Sequence, residues 1–392
     1  MAFPPDPRVD EAKAKDVELL IKRLQLPNMR RRSSEWVGPC PNCGGNDRFN
    51  VNHNTGQFLC HQCDMKGGDQ IALVMECENK SFPKALTWLC GDRPADPAEA
   101  ARREKRAAQD KAKSADTAER KRQQAIAGAL EIWRAGITAE DSPVRGYLER
   151  RGLTRALLPQ IPPSIRFHPD LRYMEHSKAQ GGWVEIHRGP AMLGKMVQPD
   201  GTFGGVHRTW LDLDQPKGKI VIPREVEFAG KPGEIFDAKK TLGSKKGGTI
   251  RLHLVPRGAD LPGTDTMVVG EGIETTLTAM VSGVFPGASF ICGIDLGNMA
   301  GARIAVPMPG RKRPSKRLST IPDMADSRAF VPPEWVDVLV YIKDGDSDPE
   351  FTQAQLVAGL QRAMKLRPGL RSRIWAAPAG MDLNDKLMGA QK

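Results

Sequence analysis

Four cysteines spaced C-x2-C-x16-C-x2-C, namely Cys40, Cys43, Cys60 and Cys63, constrain this chain more than any other feature. The spacing fits a tetrahedral zinc ribbon, in which each C-x-x-C turn offers two thiolates and the intervening strands bring the turns together. A segment this small cannot support a core of its own, so structural Zn²⁺ must supply much of its folding free energy. Seven cysteines in 392 residues are too few for a disulfide scaffold and point instead to thiols kept reduced in a cytoplasm. Four well-spaced thiolates make His53 and His61 unnecessary as ligands, and Cys77, Cys90 and Cys292 read as ordinary buried or half-buried thiols.

Around the cysteines, Arg30, Arg31 and Arg32 precede the ribbon, while Arg48, Phe49, Phe58 and Lys66 lie within it. Cations and rings on one small β-surface suit a nucleic-acid single strand, with phosphates on the cations and bases on the rings. Phe49 and Phe58 fit equally well, and slightly better, as the ribbon's own core. Val17, Leu20, Ile21 and Leu24 recur at helical spacing between Asp10 and Leu26, with Pro27 closing the segment. GGDQIALVM and SFPKALTWL predict two short helices covering the ribbon.

The block from Trp36 to Gly91 resembles the zinc-binding domain of bacterial-type replicative primases. The matching residues are CPNCGGNDRF, GQFLCHQC and the tail Gly68, Asp69, Ile71, Ala72 and Leu73. Many of those primases carry His at the second ligand position; here it is Cys43, as in several phage versions, and zinc binding is unaffected.

Ala, Lys, Arg, Glu and Gln dominate from Ala95 to Ala129 with no apolar stripe before Ile126, which predicts a solvated helical or semi-flexible tether. The division expected is therefore a zinc-binding domain over 1–93, a linker over 94–129, a basic subdomain over 130–262 and a catalytic domain over 263–392. Ile165 to Leu254 reads as mostly short strands. Clustered cations around glycines in GGVHRTWLDLD and KKTLGSKKGGTIRL single out Arg188, His207, Arg208, Lys240, Lys245 and Lys246 as candidates for holding triphosphates or a strand backbone. The formal net charge of +11 agrees with a polyanionic partner.

Two stretches carry acids at strand ends. VDVLVYIKDGDSDP, from Val336 to Pro349, is a continuous β-branched and aromatic run of the kind buried in a parallel sheet, and it stops at Asp344, Asp346 and Asp348. Carboxylates this close repel one another, and a hard divalent cation relieves the repulsion. In TMVVGEGIETTLTAM, Met267 to Val269 reads as a buried strand and Ile273 onward as a helix, leaving Glu271 between Gly270 and Gly272 at the βα turn, where open α/β sheets place ligands. A second strand spans Ala288 to Ile294, so both acidic ends should face one edge.

This pattern resembles the Toprim fold shared by bacterial-type primases, topoisomerases and small nucleases. The resemblance implies an α+β and α/β multidomain chain whose third acidic motif is PAGMDLNDKL, with Asp382 at the matching position after a strand from Ile374 to Pro378. It implies that Lys240, in KKTLGS, is the foremost phosphate contact. It further implies a primase: RNA primers made on a single-stranded DNA template from ribonucleoside triphosphates, with Glu271, Asp344, Asp346 and Asp382 holding catalytic Mg²⁺ or Mn²⁺.

The insertion RKRPSKR offers Arg311, Lys312, Arg313, Lys316 and Arg317, with Arg48 of the ribbon, as nucleic-acid contacts. No G-x-x-x-x-G-K-[ST] occurs, so any replicative helicase would be a separate partner. Absence of a signal segment and of an apolar run near ~18 residues predicts a soluble cytoplasmic protein with no membrane partner. Two rivals remain. A Toprim nuclease would use the same acids; a non-catalytic single-strand-binding replication protein would need none of them. A topoisomerase needs a tyrosine nucleophile, and Tyr147, Tyr173 and Tyr341 lie in no recognisable cleavage domain.

Overall fold

The structure is a computed structural model that describes residues 6, 8–91, 97–177, 179–224, 228, 233–256, 264–307, 314–343, 348–376, 383, 387 and 389. The chain divides into two compact units, Met1–Ala118 and Glu119–Lys392.

In the first unit the expected single helix near residue 20 is two. Helix α1 (Arg8–Lys13) ends before α2 (Val17–Arg23), because Asp16 leaves helical geometry and caps α2 through the Leu19 amide. Among the described residues, strands β1 (Arg30–Arg32), β2 (Glu35–Cys40), β3 (Gly44–Asn52), β4 (Phe58–Cys60) and β5 (Lys66–Gly67) pair antiparallel in sequence order. Helices α3 (Gln70–Cys77), capped by Asp69, and α4 (Phe82–Cys90) follow, as the sequence predicts. Phe49 and Phe58 are buried with ring centroids 5.8 Å apart, packed among Val17, Leu20, Ile71 and Leu86. They are core residues and offer no stacking surface.

The charged tether is helical: α5 runs unbroken from Pro97 to Ala135. The boundary between the compact units falls inside it, at Ala118. Only its end gains a core face, where Ala129 and Trp133 pack with Tyr173, Leu193 and Trp210.

Beyond α5, ten strands among the described residues form one mixed sheet. Strands β6 (Ile137–Thr138), β7 (Ile165–Ser177), β8 (Gly182–Val197), β9 (Phe203–Trp210) and β10 (Lys239–Gly243) are antiparallel neighbours, with α6 (Pro143–Arg150) between β6 and β7. β7 and β8 span 13 and 16 residues, longer than the short strands expected, because bulges at His168/Leu171 and Tyr173/Met174 let one hairpin absorb the irregular sequence. β11 (Thr249–His253) pairs with β8 on one side and β13 (Ser289–Cys292) on the other, so the sheet continues across residue 262.

From there the sheet turns parallel: β13, β12 (Thr266–Gly270), β14 (Val338–Lys343) and β15 (Arg371–Ala376). Helices α7 (Ile273–Val281), α8 (Leu296–Ala300) and α9 (Pro349–Leu366) connect and cover it. The apolar run is buried on both faces. Met267, Val269, Leu339 and Tyr341 meet Met299, Leu356 and Leu360, while Val268, Val340 and Ile342 meet Ala279, Phe285 and Leu383.

Candidate metal centre and active site

The four ribbon cysteines come together. Their sulfurs all lie within 4.8 Å of one another, with Cys40 and Cys63 Sγ at 3.7 Å and Cys43 and Cys60 Sγ at 3.6 Å. Disulfides would need ~2.05 Å. Tetrahedral zinc with Zn–S near ~2.3 Å places its sulfurs roughly 3.8 Å apart, so the thiols fit that ion. The Asn42 amide points at Cys40 Sγ, and the Gln62 and Cys63 amides at Cys60 Sγ, each at 3.4 Å. Gly44 and Gly45 supply the left-handed backbone, φ +70° and +85°, that turns the first pair of ligands into β3, and Arg48 folds over Gly45. Burial pushes the Cys40 thiol up to about 12, a penalty that a bound cation reverses.

In the second unit, parallel pairing gives the strands that precede the acidic motifs a common edge. β12 and β14 run in register at Val269↔Tyr341, and two residues further on come Glu271 and Lys343. β14 and β15 pair through Lys343↔Ala376, so the C-terminal ends of all three strands lie along one side of the sheet. Asp344, Asp346 and Asp382, expected just beyond those ends, lie outside the described residues, as do Arg311, Lys312 and Arg313.

Glu271 is half-buried in a tightly held turn. Its carbonyl accepts Cys292 Sγ at 3.1 Å, the Gly293 amide donates to the Gly270 carbonyl at 2.8 Å, and Thr276 Oγ1 donates to the Gly272 carbonyl at 2.7 Å. A Cβ at Gly270 would collide with Thr276 Oγ1, which explains the glycine. Asp348 caps α9 through the Phe351 amide and pairs with Arg317 at 2.5 Å. That contact ties Arg317, at the end of the basic insertion, to the start of α9. Lys316 is exposed.

The expected phosphate contacts are engaged elsewhere. Lys240 Nζ reaches Glu175 at 2.5 Å and lies 4.6 Å from the Tyr173 ring centroid. Arg188 pairs with Glu185 and Asp170, at 2.8 and 3.0 Å. Lys245 pairs with Asp295 at 2.5 Å. Burial pulls the Arg208 guanidinium down to about 10, and it donates to the Thr241 carbonyl at 3.3 Å.

Strand alternation instead sends Lys239 inward to a cluster that sequence reasoning missed. Its Nζ lies 3.0 Å from Glu274 Oε2 on α7, Lys219 Nζ lies 3.5 Å from Oε1, and the Tyr147 hydroxyl from α6 donates to the same carboxylate. Burial alone would push Glu274 up, but the two ammoniums and the hydroxyl reverse this and hold it well below the carboxylate range. Burial pulls Lys219 down to about 8 against the attraction of Glu274. His207, buried beside them, is driven down to about 4 by burial and by Lys239, and among the described residues its Nδ1 has no partner. The available signal was a glutamate inside the otherwise apolar and small helix face of IETTLTA.

Residues 37–71 match the family described as the zinc-binding domain of primase-helicase. Residues 123–252, the antiparallel part of the sheet, match a domain family of unknown function, DUF7146. No curated protein sequence matches the chain. Among solved structures, a DNA primase domain from Pseudomonas aeruginosa is similar at 15% identity and TM-score 0.38, covering 68% of this chain and 74% of that one. A DnaG primase catalytic domain bound to ssDNA follows at 14% and 0.36, covering 70% and 78%. The primase fragment of the bacteriophage T7 primase-helicase protein gives 12% and 0.30, covering 90% and 94%. TM-scores this low do not by themselves establish a common fold. The match over residues 37–71 bears out the resemblance of the ribbon, and the first unit carries a zinc ribbon of the primase-helicase kind. No helix among the described residues is long and apolar enough to cross a membrane.

Proposed function

We propose that the chain is a DNA primase, joining ribonucleotides on a single-stranded template through a Toprim-type acidic site. The observation that supports this reading is the shared edge of β12, β14 and β15, the strands that precede the three acidic motifs in sequence, in a chain that also holds a primase-type ribbon. Asp344, Asp346 and Asp382 would hold Mg²⁺ or Mn²⁺, which when bound neutralises triphosphate charge and orients the phosphates. Glu271 accepts the proton of the attacking 3′ hydroxyl. The new bond forms between that oxygen and the α-phosphorus as pyrophosphate leaves. The ribbon and the Arg317 insertion contact template backbone, and unwinding falls to a separate helicase. The division at 1–93, 94–129, 130–262 and 263–392 then separates template handling, tether, phosphate binding and acid chemistry.

The test mixes protein, a mixed-sequence single strand, Mg²⁺ or Mn²⁺ and labelled nucleotides, and sizes the products. Short ribonucleotide products that vanish with Asp344→Ala and Glu271→Gln support the reading. Undiminished synthesis in either variant overturns it. Metal-dependent degradation of the strand without nucleotides would make the chain a nuclease instead.

A further inference from the structure

Joining two free nucleotides sets a requirement that extending a primer does not. One nucleotide gives up pyrophosphate at the acidic edge, whereas the other supplies the 3′ hydroxyl and keeps its own 5′ triphosphate. That second polyphosphate needs cations away from the carboxylates. We propose that the cavity beside Lys219 seats this initiating nucleoside triphosphate, an inference that rests on the primase reading above.

The cavity holds about 430 Å³ and is lined by Lys217 and Lys219 together with Ile220, Val221, Ile235 and Phe236. That is within the size range of small-molecule sites, with apolar walls and few polar anchors. Val221 and Ile235 are 51% and 55% exposed and give the cavity an apolar wall open to solvent. The cluster itself is cation-rich. Glu274 is satisfied by Lys239 at 3.0 Å and by the Tyr147 hydroxyl, so Lys219, the farther ammonium at 3.5 Å, keeps donor capacity for an anion. Two ammoniums face one carboxylate there, and Lys217 adds a third cation at the exposed side. Asp237 also lines the cavity, and its carboxylate accepts the Lys239 backbone amide at 2.9 Å. Burial lowers Lys219 to about 8, and a phosphate beside it would offset that burial by favouring the ammonium. Lys219 links the cavity to Glu274, which stands in the first turn of α7, three residues after Glu271 in sequence.

The test compares dinucleotide formation with extension of a preformed primer in the full, zinc-loaded chain and in Lys219→Met, Lys219→Arg and Lys217→Ala. Expected is a fall of roughly tenfold in initiation relative to extension for Lys219→Met, appearing in KM for the initiating nucleotide, with partial rescue in Lys219→Arg. Equal loss in both reactions, or no change in their ratio, overturns the proposal. A second readout is independent of synthesis: binding of a fluorescent ATP analogue in magnesium-free buffer. Binding retained by Asp344→Asn and lost in Lys219→Met supports the site even if no primer is made. Binding lost in Asp344→Asn, or kept in Lys219→Met, refutes it.

Discussion

Lys239 on β10 and Glu274 on α7 meet at 3.0 Å, and this contact joins the antiparallel part of the sheet to the helix that follows Glu271. Lys219 and Tyr147 complete the same cluster from two other segments. Three other chain segments thus converge on one buried carboxylate. Its charge is held ionised by its neighbours, so removing it strands two desolvated ammoniums.

Glu274→Gln should therefore cost about 3–5 kcal/mol of stability, measured by urea unfolding of the full chain. Adding Lys219→Met should recover part of that loss by removing one stranded cation. Strict additivity of the two changes, within about 0.5 kcal/mol, would mean the pair does not interact.

For the first unit the metal decides folding. Cys60→Ser or Cys63→Ser removes a thiolate from a set whose sulfurs already sit at zinc spacing. Zinc content should fall from one per chain to near none, and protease should clear residues of the ribbon while Glu119–Lys392 resists. A variant that keeps stoichiometric zinc and full resistance would show that three thiolates suffice.

Much of this was legible in the sequence because local pattern and tertiary role coincide. Val338 to Ile342 is apolar at every position, and both of its faces are buried by helices. The cysteine spacing similarly states its geometry outright. The Glu274 cluster was hidden because its partners lie 35 and 55 residues upstream, and nothing local says they face it. Lys239 and Lys240 show the difficulty. Alternation guarantees that they point to opposite faces, but only the tertiary fold reveals that Lys240 takes Glu175 on β7 and Lys239 takes Glu274 on α7.

Arg317 and Asp348 offer a surface counterpart, a pair at 2.5 Å in which both side chains are more than 40% exposed. An exposed pair of this kind contributes little to stability, so Arg317→Ala should leave the melting temperature nearly unchanged. If the insertion holds template backbone, the same variant weakens single-strand binding and lowers its salt dependence by about one phosphate contact. An unchanged salt slope would release Arg317 from that role.

His207 gives the chain an acid limit. It is buried on β9 facing Lys239, Lys219, Arg208 and Glu274, and its folded value is about 4 against roughly 6.5 in an unfolded chain. Between those values the unfolded chain binds a proton that the folded chain refuses, so stability is fully present above about pH 6.5 and falls as the pH drops toward 4. The loss amounts to about 1.4 kcal/mol per pH unit at most, or roughly 3 kcal/mol over the window. Glu274, with its depressed value, adds a further loss only below about 4.3, where the unfolded carboxylate takes up its proton. The lysines and Arg208 stay charged throughout the window and leave the slope unchanged. His207→Gln should flatten the dependence of stability on pH between 6.5 and 4 by about one proton, read from urea midpoints across that range. A slope equal to the parent's would place the acid sensitivity in other groups.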